Sequence, residues 1–176
     1  MMEILQRRRS IRKYKKKKVE EDKIKKLIQA ALLSPSSRSL CPWEFLIVED
    51  EKTIKDLASA KDMGSSFLEQ APLAIVILAN EEVSDVWVED SSIASIIIQL
   101  MAESLGLGSC WIQIRKRQHK LNVTAGDYIR GLLGLPASTK VESIIAIGYP
   151  DEEKPAHDLT ELKYEKIHRN VYGGRK

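Results

Sequence analysis

The sequence predicts one three-layer domain of the α/β or α+β class. Helical and strand patterns alternate along the chain, giving about five helices and four strands. Residues 73–79 form a continuous apolar run, which is typical of a strand whose two faces are both covered by helices. The length of 176 residues suits a single domain, and the chain contains no internal repeat.

The N-terminal part is predicted to hold two helices and one strand. Residues 2–9 form a short helix that carries arginines at its end. Pro35 ends a second helix, over 20–33, and a loop of turn-forming residues follows. Residues 43–48, WEFLIV, have the composition of a strand. The second helix has one apolar face, formed by Ile24, Leu27, Ile28, Ala31 and Leu32.

The middle of the chain contains the strongest helical pattern. A modest helix over 51–60 and a short helical turn over 67–71 precede the buried strand at 73–79. The helix over 90–105 is apolar or small on nearly all sides, and Gly106 ends it. A helix of this kind is buried, either in a core or in a subunit interface.

The C-terminal part contains the last strands and a polar tail. The pattern predicts a strand over 109–114, a helix over 124–133 closed by Gly134, and a strand over 143–149. Residues 150–176 are polar and show no apolar periodicity. A tail of this kind often wraps a partner subunit, which is the role expected here.

The charge of the chain is concentrated near its N-terminus. The net charge is +3, yet residues 7–18 carry nine basic side chains and no acid, so the rest of the chain is net acidic. Such a segment attracts anions. The guanidinium forks and the hydroxyl of Arg8–Arg12 suit bidentate phosphate binding. The lysines at 15–18 are instead expected to form a solvated basic face, and nucleic acid is less favoured because no helix-turn-helix, zinc-finger or aromatic pattern is present.

The cysteines and the hydropathy pattern indicate a cytoplasmic protein. Cys41 and Cys110 cannot form a disulfide framework and are expected to be reduced. No apolar run is long enough for a membrane helix, and the N-terminus does not resemble a secretory signal.

Common catalytic motifs are missing from the sequence. GLGSCW at 106–111 lacks the third glycine of a dinucleotide fingerprint and follows a helix instead of a strand. There is no Walker loop and no nucleophile elbow, and the histidines have no metal-ligand spacing. The residues alone therefore support an anion-binding domain without a metal.

Three segments, in this order, resemble the flavin-dependent nitroreductase family. They are RRSIRKY at 8–14, SPSSRSLCPWEFLIV at 34–48, and GLGSCWIQI at 106–114, which LGLP at 133–136 and IGYP at 147–150 follow. The resemblance extends roughly from residue 5 to residue 170.

The resemblance implies an architecture and an activity. It implies an α+β nitroreductase-like domain over residues 1–176, with a central mixed sheet flanked by helices. It also implies a homodimer with two FMN molecules at its interface, in which the tail 150–176 is exchanged between subunits. The implied activity is ping-pong electron transfer from NADH or NADPH, through flavin N5, to a nitroaromatic, a quinone or a similar small acceptor.

The resemblance also assigns cofactor contacts. An N-terminal motif holds the phosphate and ribityl chain, a loop reaches the flavin of the other subunit, a strand lies against the isoalloxazine, and basic residues near the tail contact the phosphate. Within the strand, the backbone N–H of Gln113 is expected to donate to flavin N5. The residues of the N-terminal motif are Arg8, Arg9, Ser10 and Arg12, and those of the loop are Pro35, Ser36, Ser37 and Ser39. The strand residues are Trp111, Ile112 and Gln113, and the basic residues near the tail are Lys154 and His157.

Three positions depart from the family pattern. Ser39 stands where the family has Asn and Cys41 where it has Gln, so the loop loses amide groups that donate and accept together. His157 stands where Arg is common, which makes a phosphate contact there dependent on pH. Despite these departures, FMN binding is still expected, but the identity of the electron acceptor is left undecided.

Several of these residues also have a purely structural interpretation. Cys110 is expected to be a small buried residue, Trp43 to pack in the core, and Tyr14 to anchor the basic segment to the core. Ser36 and Ser37 are also common turn residues.

Three functions therefore compete. The first is an FMN-dependent NAD(P)H oxidoreductase, the second a flavin-binding sensor or carrier without turnover, and the third a basic nucleic-acid binder without a cofactor. The sequence names neither the acceptor nor the preferred nicotinamide. Acceptor choice is expected to depend on loops around residues 60–70 and 81–90.

Overall fold

Four apolar strands form the central sheet of the computed structural model, which describes residues 1–174. In spatial order they are β1 (Trp43–Val48), β2 (Leu73–Asn80), β6 (Thr139–Gly148) and β3 (Gly108–Gln113). β2 and β6 occupy the centre and are almost entirely buried, as the continuous apolar run of β2 predicts. β1 and β3 are the edge strands.

Five α-helices flank this sheet within the described residues. They are α1 (Met2–Arg7), α2 (Glu21–Leu32), α3 (Glu51–Ala58), α4 (Trp87–Ser104) and α5 (Ala125–Leu133). Side chains cap two of them, since Asp50 accepts from the Thr53 N–H and Thr124 from the Asp127 N–H. Gly134, at φ 65°, ends α5 in the left-handed conformation that glycine adopts without strain.

The helices form two layers that cover opposite faces of the sheet. α2 and α4 pack over one face, with Ile98 and Leu27 in its core. α3 and α5 pack over the other face with the segment that carries Ile11 and Tyr14. The three-layer arrangement and the α+β class are therefore confirmed.

The expected mixed sheet is antiparallel in all of its main strand pairs. All three ladders, β1 with β2, β2 with β6 and β6 with β3, are antiparallel. Parallel pairing enters as a bridge between Ser10 and Ser109, beside β3. A further hairpin of β4 (Gln118–Lys120) and β5 (Val123–Thr124), which the sequence pattern did not predict, precedes α5.

Two groups of exposed apolar side chains, on α4 and in the tail, bear on assembly. On α4, Ile93 and Ile96 are 38% and 39% exposed, on the side away from the buried Ala94, Ile98 and Ala102. In the tail, two 3₁₀ turns at Leu159–Glu161 and Tyr164–Lys166 interrupt an otherwise irregular chain. The exposed apolar residues of the tail are Leu159, Leu162, Tyr164, Ile167, Val171 and Tyr172.

Candidate functional site

The basic N-terminal segment is fastened along the outer edge of β3. Ser10 bridges Ser109, and the Ile11 N–H donates to the Ser109 carbonyl at 3.0 Å. Gly108 makes this approach possible, because a Cβ there would lie 2.9 Å from Ile11 side-chain atoms. Tyr14 is buried and its hydroxyl donates to the Ile11 carbonyl, so it anchors the segment as expected.

The start of the tail lies against the same segment. The Glu152 carboxylate accepts from the backbone N–H groups of Arg12 and Lys13, and these contacts lower the pKa of Glu152. The Lys154 ammonium donates to the Ser10 carbonyl and lies 3.5 Å from Glu152. The tail therefore holds the basic segment in one conformation.

Two further contacts join the tail to the N-terminus. The Arg9 guanidinium donates to the Pro155 carbonyl, and the His157 N–H donates to the Gln6 carbonyl at 2.9 Å. The structure thus brings Lys154 and His157 close to Arg9, Ser10 and Gln6. The Arg9 guanidinium is already engaged, and the imidazole of His157 is exposed.

Two guanidinium groups in this cluster have no partner among residues 1–174. The side chains of Arg8 and Arg12 form no ion pair or hydrogen bond there, although Arg12 stacks over Phe67 at 5.7 Å. Both lie near the buried Cys110 thiol. Burial raises the pKa of this thiol, and the positive charges of the two arginines partly oppose that rise. Two unpaired guanidiniums beside Lys154 form a donor set that fits a phosphate. A cavity of about 360 Å³ lies beside the segment, but Arg8 and Arg12 are not among its lining residues, which include Arg7, Arg9 and Lys154 together with the carboxylates of Glu103, Glu152 and Glu153.

Beyond Ser109, β3 presents backbone donors at the edge of the sheet. The Ser109 carbonyl points away from β6. Along a strand, the N–H and C=O groups of every second residue point to the same side, so the N–H groups of Trp111 and Gln113 also point away from β6. The Gln113 side chain is fixed, because it accepts from the Trp111 indole at 2.9 Å and donates to the Arg115 carbonyl at 3.0 Å. Ile112 is buried in the core, so its side chain does not face this edge.

The serine loop between α2 and β1 is held in a strained conformation. Arg38, Ser39 and Cys41 have φ values of 54°, 56° and 47°, which are uncommon for residues other than glycine. The Ser36 hydroxyl accepts from the Cys41 N–H at 2.8 Å, so its structural role as a turn residue is confirmed. Pro35 and Ser39 are exposed beside these contacts.

A buried carboxylate fixes the same loop to α4. Asp90, only 3% exposed, accepts from the Ser37 N–H at 2.8 Å and from the Ser84 hydroxyl at 3.2 Å. At the other end of α4, Glu103 pairs with Arg7 at 3.2 Å. Thirteen residues of helix correspond to about 20 Å. The loop and the basic segment therefore lie at opposite ends of α4, and a single chain does not bring them together.

The structure also contains a cavity that the motif analysis did not assign. It measures about 490 Å³ and lies between the loop after α3 and the β4–β5 hairpin. Part of the loop expected at 60–70 lines it, as do Lys61, His119 and Tyr128. The sequence did not predict His119 as a site residue, because the segment around it has no strand pattern. A second cavity, of about 440 Å³, includes Trp87 from the expected 81–90 loop.

Residues 1–174 contain neither a candidate metal-binding cluster nor a membrane-spanning helix. No group of three or more His, Cys, Asp or Glu side chains could hold a metal ion. No helix in the described part of the chain is long and apolar enough to cross a membrane.

Comparison with known proteins gives concordant matches. The sequence model of the nitroreductase family matches residues 5–61 and 54–149. A protein of Archaeoglobus fulgidus, named as a candidate NADH dehydrogenase/NAD(P)H nitroreductase, is 34% identical over 97% of this chain and 98% of its own length.

Solved structures agree with these sequence matches. An FMN-dependent nitroreductase from Clostridium difficile R20291 has a TM-score of 0.96 and 50% identity, covering 97% of this chain and 99% of its own. A candidate NADH oxidase from Clostridium acetobutylicum has a TM-score of 0.87 and 35% identity, covering 96% and 99%.

Proposed function

The chain belongs to the nitroreductase family, and from this membership and the geometry above we propose that it is an FMN-dependent NAD(P)H oxidoreductase. Its acceptor is a nitroaromatic, a quinone or a similar small molecule. For a quinone the net reaction is NAD(P)H + H⁺ + quinone → NAD(P)⁺ + hydroquinone. The observation that carries the proposal is the pair of unpaired guanidiniums, Arg8 and Arg12, beside a sheet edge with outward N–H groups.

The residues present fit FMN at both of its ends. Arg8 and Arg12 would hold the phosphate, together with Lys154, whose ammonium also contacts the Ser10 carbonyl and Glu152; the exposed His157 follows in the same segment of the tail. The backbone N–H of Gln113 would donate to the ring edge at N5, with Trp111 adjacent on the same strand. Bound FMN would supply two-electron redox chemistry between NAD(P)H and the acceptor, for which a ping-pong scheme is proposed.

The remaining contacts keep this arrangement rigid. The Ser10 backbone is held from both sides, by Ser109 and by Lys154, so this part of the segment occupies a fixed place. The fixed Gln113 side chain leaves the backbone N–H of the same residue free to bind. Preorganised donors of this kind cost no rearrangement when the cofactor binds.

We further propose that a second copy of the chain completes the site. The loop residues Pro35, Ser36, Ser37 and Ser39 lie about 20 Å from the basic segment of their own chain, measured along α4. The exposed Ile93 and Ile96 offer an apolar face for a partner subunit. Residues 152–157 hold the basic segment of their own chain, so of the tail 150–176 only the part after His157 would cross to the other subunit in the homodimer and cover its exposed apolar residues.

The dimer is expected to be obligate and to bury well over about 2,000 Å² in total. Deleting residues 160–176 should damage dimerisation or solubility, as measured by light scattering. Because that deletion could also impair folding, Ile96→Glu provides a second variant, which should dissociate the dimer by placing a charge in the interface. Lys52→Glu, on the exposed side of α3, is the control. A stable monomer that retains FMN would contradict the shared site.

Hydride transfer is expected to need no essential acid–base side chain. The motif residues contain no convincing proton donor, and Cys41 is exposed, so protons would come from solvent. Double-reciprocal plots against the nicotinamide, at several acceptor concentrations, should be parallel. Cys41→Ala should change turnover less than tenfold, which is below about 1.4 kcal/mol of barrier.

Two results would defeat this mechanism. Intersecting plots would show that donor and acceptor bind together. Loss of activity in Cys41→Ala with FMN still bound would indicate a redox-active thiol, and Cys41→Ser would then show whether a hydroxyl can replace it.

The proposed oxidoreductase function is tested first by the flavin absorbance of the purified protein and by its steady-state oxidation of NADH or NADPH with a quinone. Bound flavin without turnover would indicate a sensor or carrier.

A further inference from the structure

The cavity between the loop after α3 and the β4–β5 hairpin has a fixed aromatic wall. His119 stacks on Tyr128 with ring centroids 4.0 Å apart and planes 16° from parallel. His119 Nδ1 lies 3.0 Å from the Ser59 carbonyl, and the Tyr128 hydroxyl donates to the Asp56 carbonyl at 3.1 Å. Both rings are therefore anchored by polar contacts as well as by stacking. We call this space the Lys61 cavity; its lining includes Lys61, Gly64, His119, Lys120 and Tyr128.

Unpaired cations surround this wall. Lys61 and the exposed Lys120 line the cavity. Partial burial lowers the pKa of the Lys61 amine, and the positive charge of the exposed Arg117 lowers it further. None of the three takes part in an ion pair with the described residues. The acidic lining residue, Asp62, is exposed and forms no ion pair with Lys61. Partial burial of a cation beside another cation is unfavourable, and a bound anion would relieve it.

The Lys61 cavity lies beside the basic segment. Ser66 lines the cavity, and the ring of the next residue, Phe67, lies under the Arg12 guanidinium at 5.7 Å. The volume of about 490 Å³ is within the range of small-molecule sites, about 300–1,000 Å³. A one- or two-ring compound therefore has room beside the basic segment.

We propose that the Lys61 cavity binds the electron acceptor, and that the acceptor class is an aromatic compound carrying a carboxylate or sulfonate. Its ring would lie on the His119–Tyr128 wall and its anionic group at Lys61 and Lys120. This assignment rests on the proposed oxidoreductase function and adds a charge selectivity to it.

The test compares 4-nitrobenzoate with 4-nitrobenzamide, which have the same ring and nitro group but differ in charge. The quantity measured is the ratio of their kcat/KM values, in the flavin-loaded protein. Lys61→Gln should lower this ratio about tenfold, the effect of losing one charge-assisted contact, and Lys120→Gln should lower it in the same direction. Lys26→Gln, on the exposed side of α2, is the matched control and should leave the ratio at its original value.

A binding measurement gives a readout independent of turnover. Benzoate cannot be reduced by this chemistry, and its affinity, measured by calorimetry, should fall about tenfold in Lys61→Gln while flavin absorbance shows that the cofactor is retained. The affinity for benzoate should also weaken with added salt. Inorganic phosphate should compete far less well than benzoate, because it has no ring to place on the wall.

The outcomes separate this inference from the proposed function. If both nitro compounds are reduced but the ratio and benzoate affinity do not change in Lys61→Gln, the Lys61 cavity is not the acceptor site. If phosphate competes as well as benzoate, the cavity is a simple anion site and the aromatic assignment is wrong. If neither nitro compound nor a quinone supports NAD(P)H oxidation, the proposed oxidoreductase function fails, and the acceptor role fails with it.

Discussion

Replacing Arg8 with alanine should weaken FMN binding by about tenfold to more than a hundredfold. The Arg8 guanidinium is half-buried and has no partner among residues 1–174, so a phosphate would be its principal contact. Its backbone position is fixed, because the Arg8 N–H donates to the Ile4 carbonyl at 2.9 Å. A charge-assisted hydrogen bond contributes about 1.5–3 kcal/mol, and each 1.4 kcal/mol is about tenfold in affinity.

Lys16→Ala is the matched control for this measurement. Lys16 belongs to the same basic segment but is exposed, and a solvated lysine contributes little to binding. The affinity of FMN for both apo-variants is compared at the same ionic strength. Equal losses in the two variants would mean that only the bulk positive charge of the segment matters.

Gly108→Ala should both destabilise the protein and loosen the basic segment. A Cβ at this position would lie 2.9 Å from Cβ, Cγ1 and Cγ2 of Ile11, and these branched atoms cannot swing aside as a flexible side chain would. Over-packing of this kind costs about 1–3 kcal/mol. The free energy of unfolding, measured by urea titration, should fall by that amount, and FMN affinity should fall with it.

Gly131→Ala provides the control for the same chemical change. Gly131 lies inside α5, and a Cβ there would meet no heavy atom within 4 Å. Alanine favours a helix over glycine by about 0.5–1 kcal/mol, so this variant should be as stable as the parent or slightly more so. Similar behaviour of the two variants would argue against the close approach of Ile11 to β3.

Most of the fold follows from patterns in the sequence, and the differences have local causes. The bounds of β1 are those expected from WEFLIV, and the helices agree within a few residues. β6 begins four residues before the predicted strand, because a bulge opposite Ile77 and Leu78 accommodates the polar Glu142 within it. The β4–β5 hairpin is short and polar, so it gave no alternating pattern.

The candidate site was predictable only in part. The motifs indicated the basic segment, the serine loop and β3, and Cys110, Trp43 and Tyr14 are buried as expected. The sequence did not show that Asp90 fixes the serine loop from more than fifty positions away, or that the Arg9 guanidinium is already engaged. Contacts of this kind depend on tertiary packing, and no local pattern encodes them.

The contacts between the tail and the N-terminal segment determine when, during synthesis of the chain, the candidate site can form. Arg9 and Ser10 are made long before their partners Pro155 and Lys154, which follow them by 146 and 144 residues in the chain. The arginine cluster therefore cannot adopt its final form while the ribosome still holds residues 150–157. Closing so long a loop is also among the slower events of folding. Loading of the proposed cofactor is accordingly a step that follows synthesis of residues 150–157, and the nascent chain must reach that point without the stabilisation that a bound ligand provides.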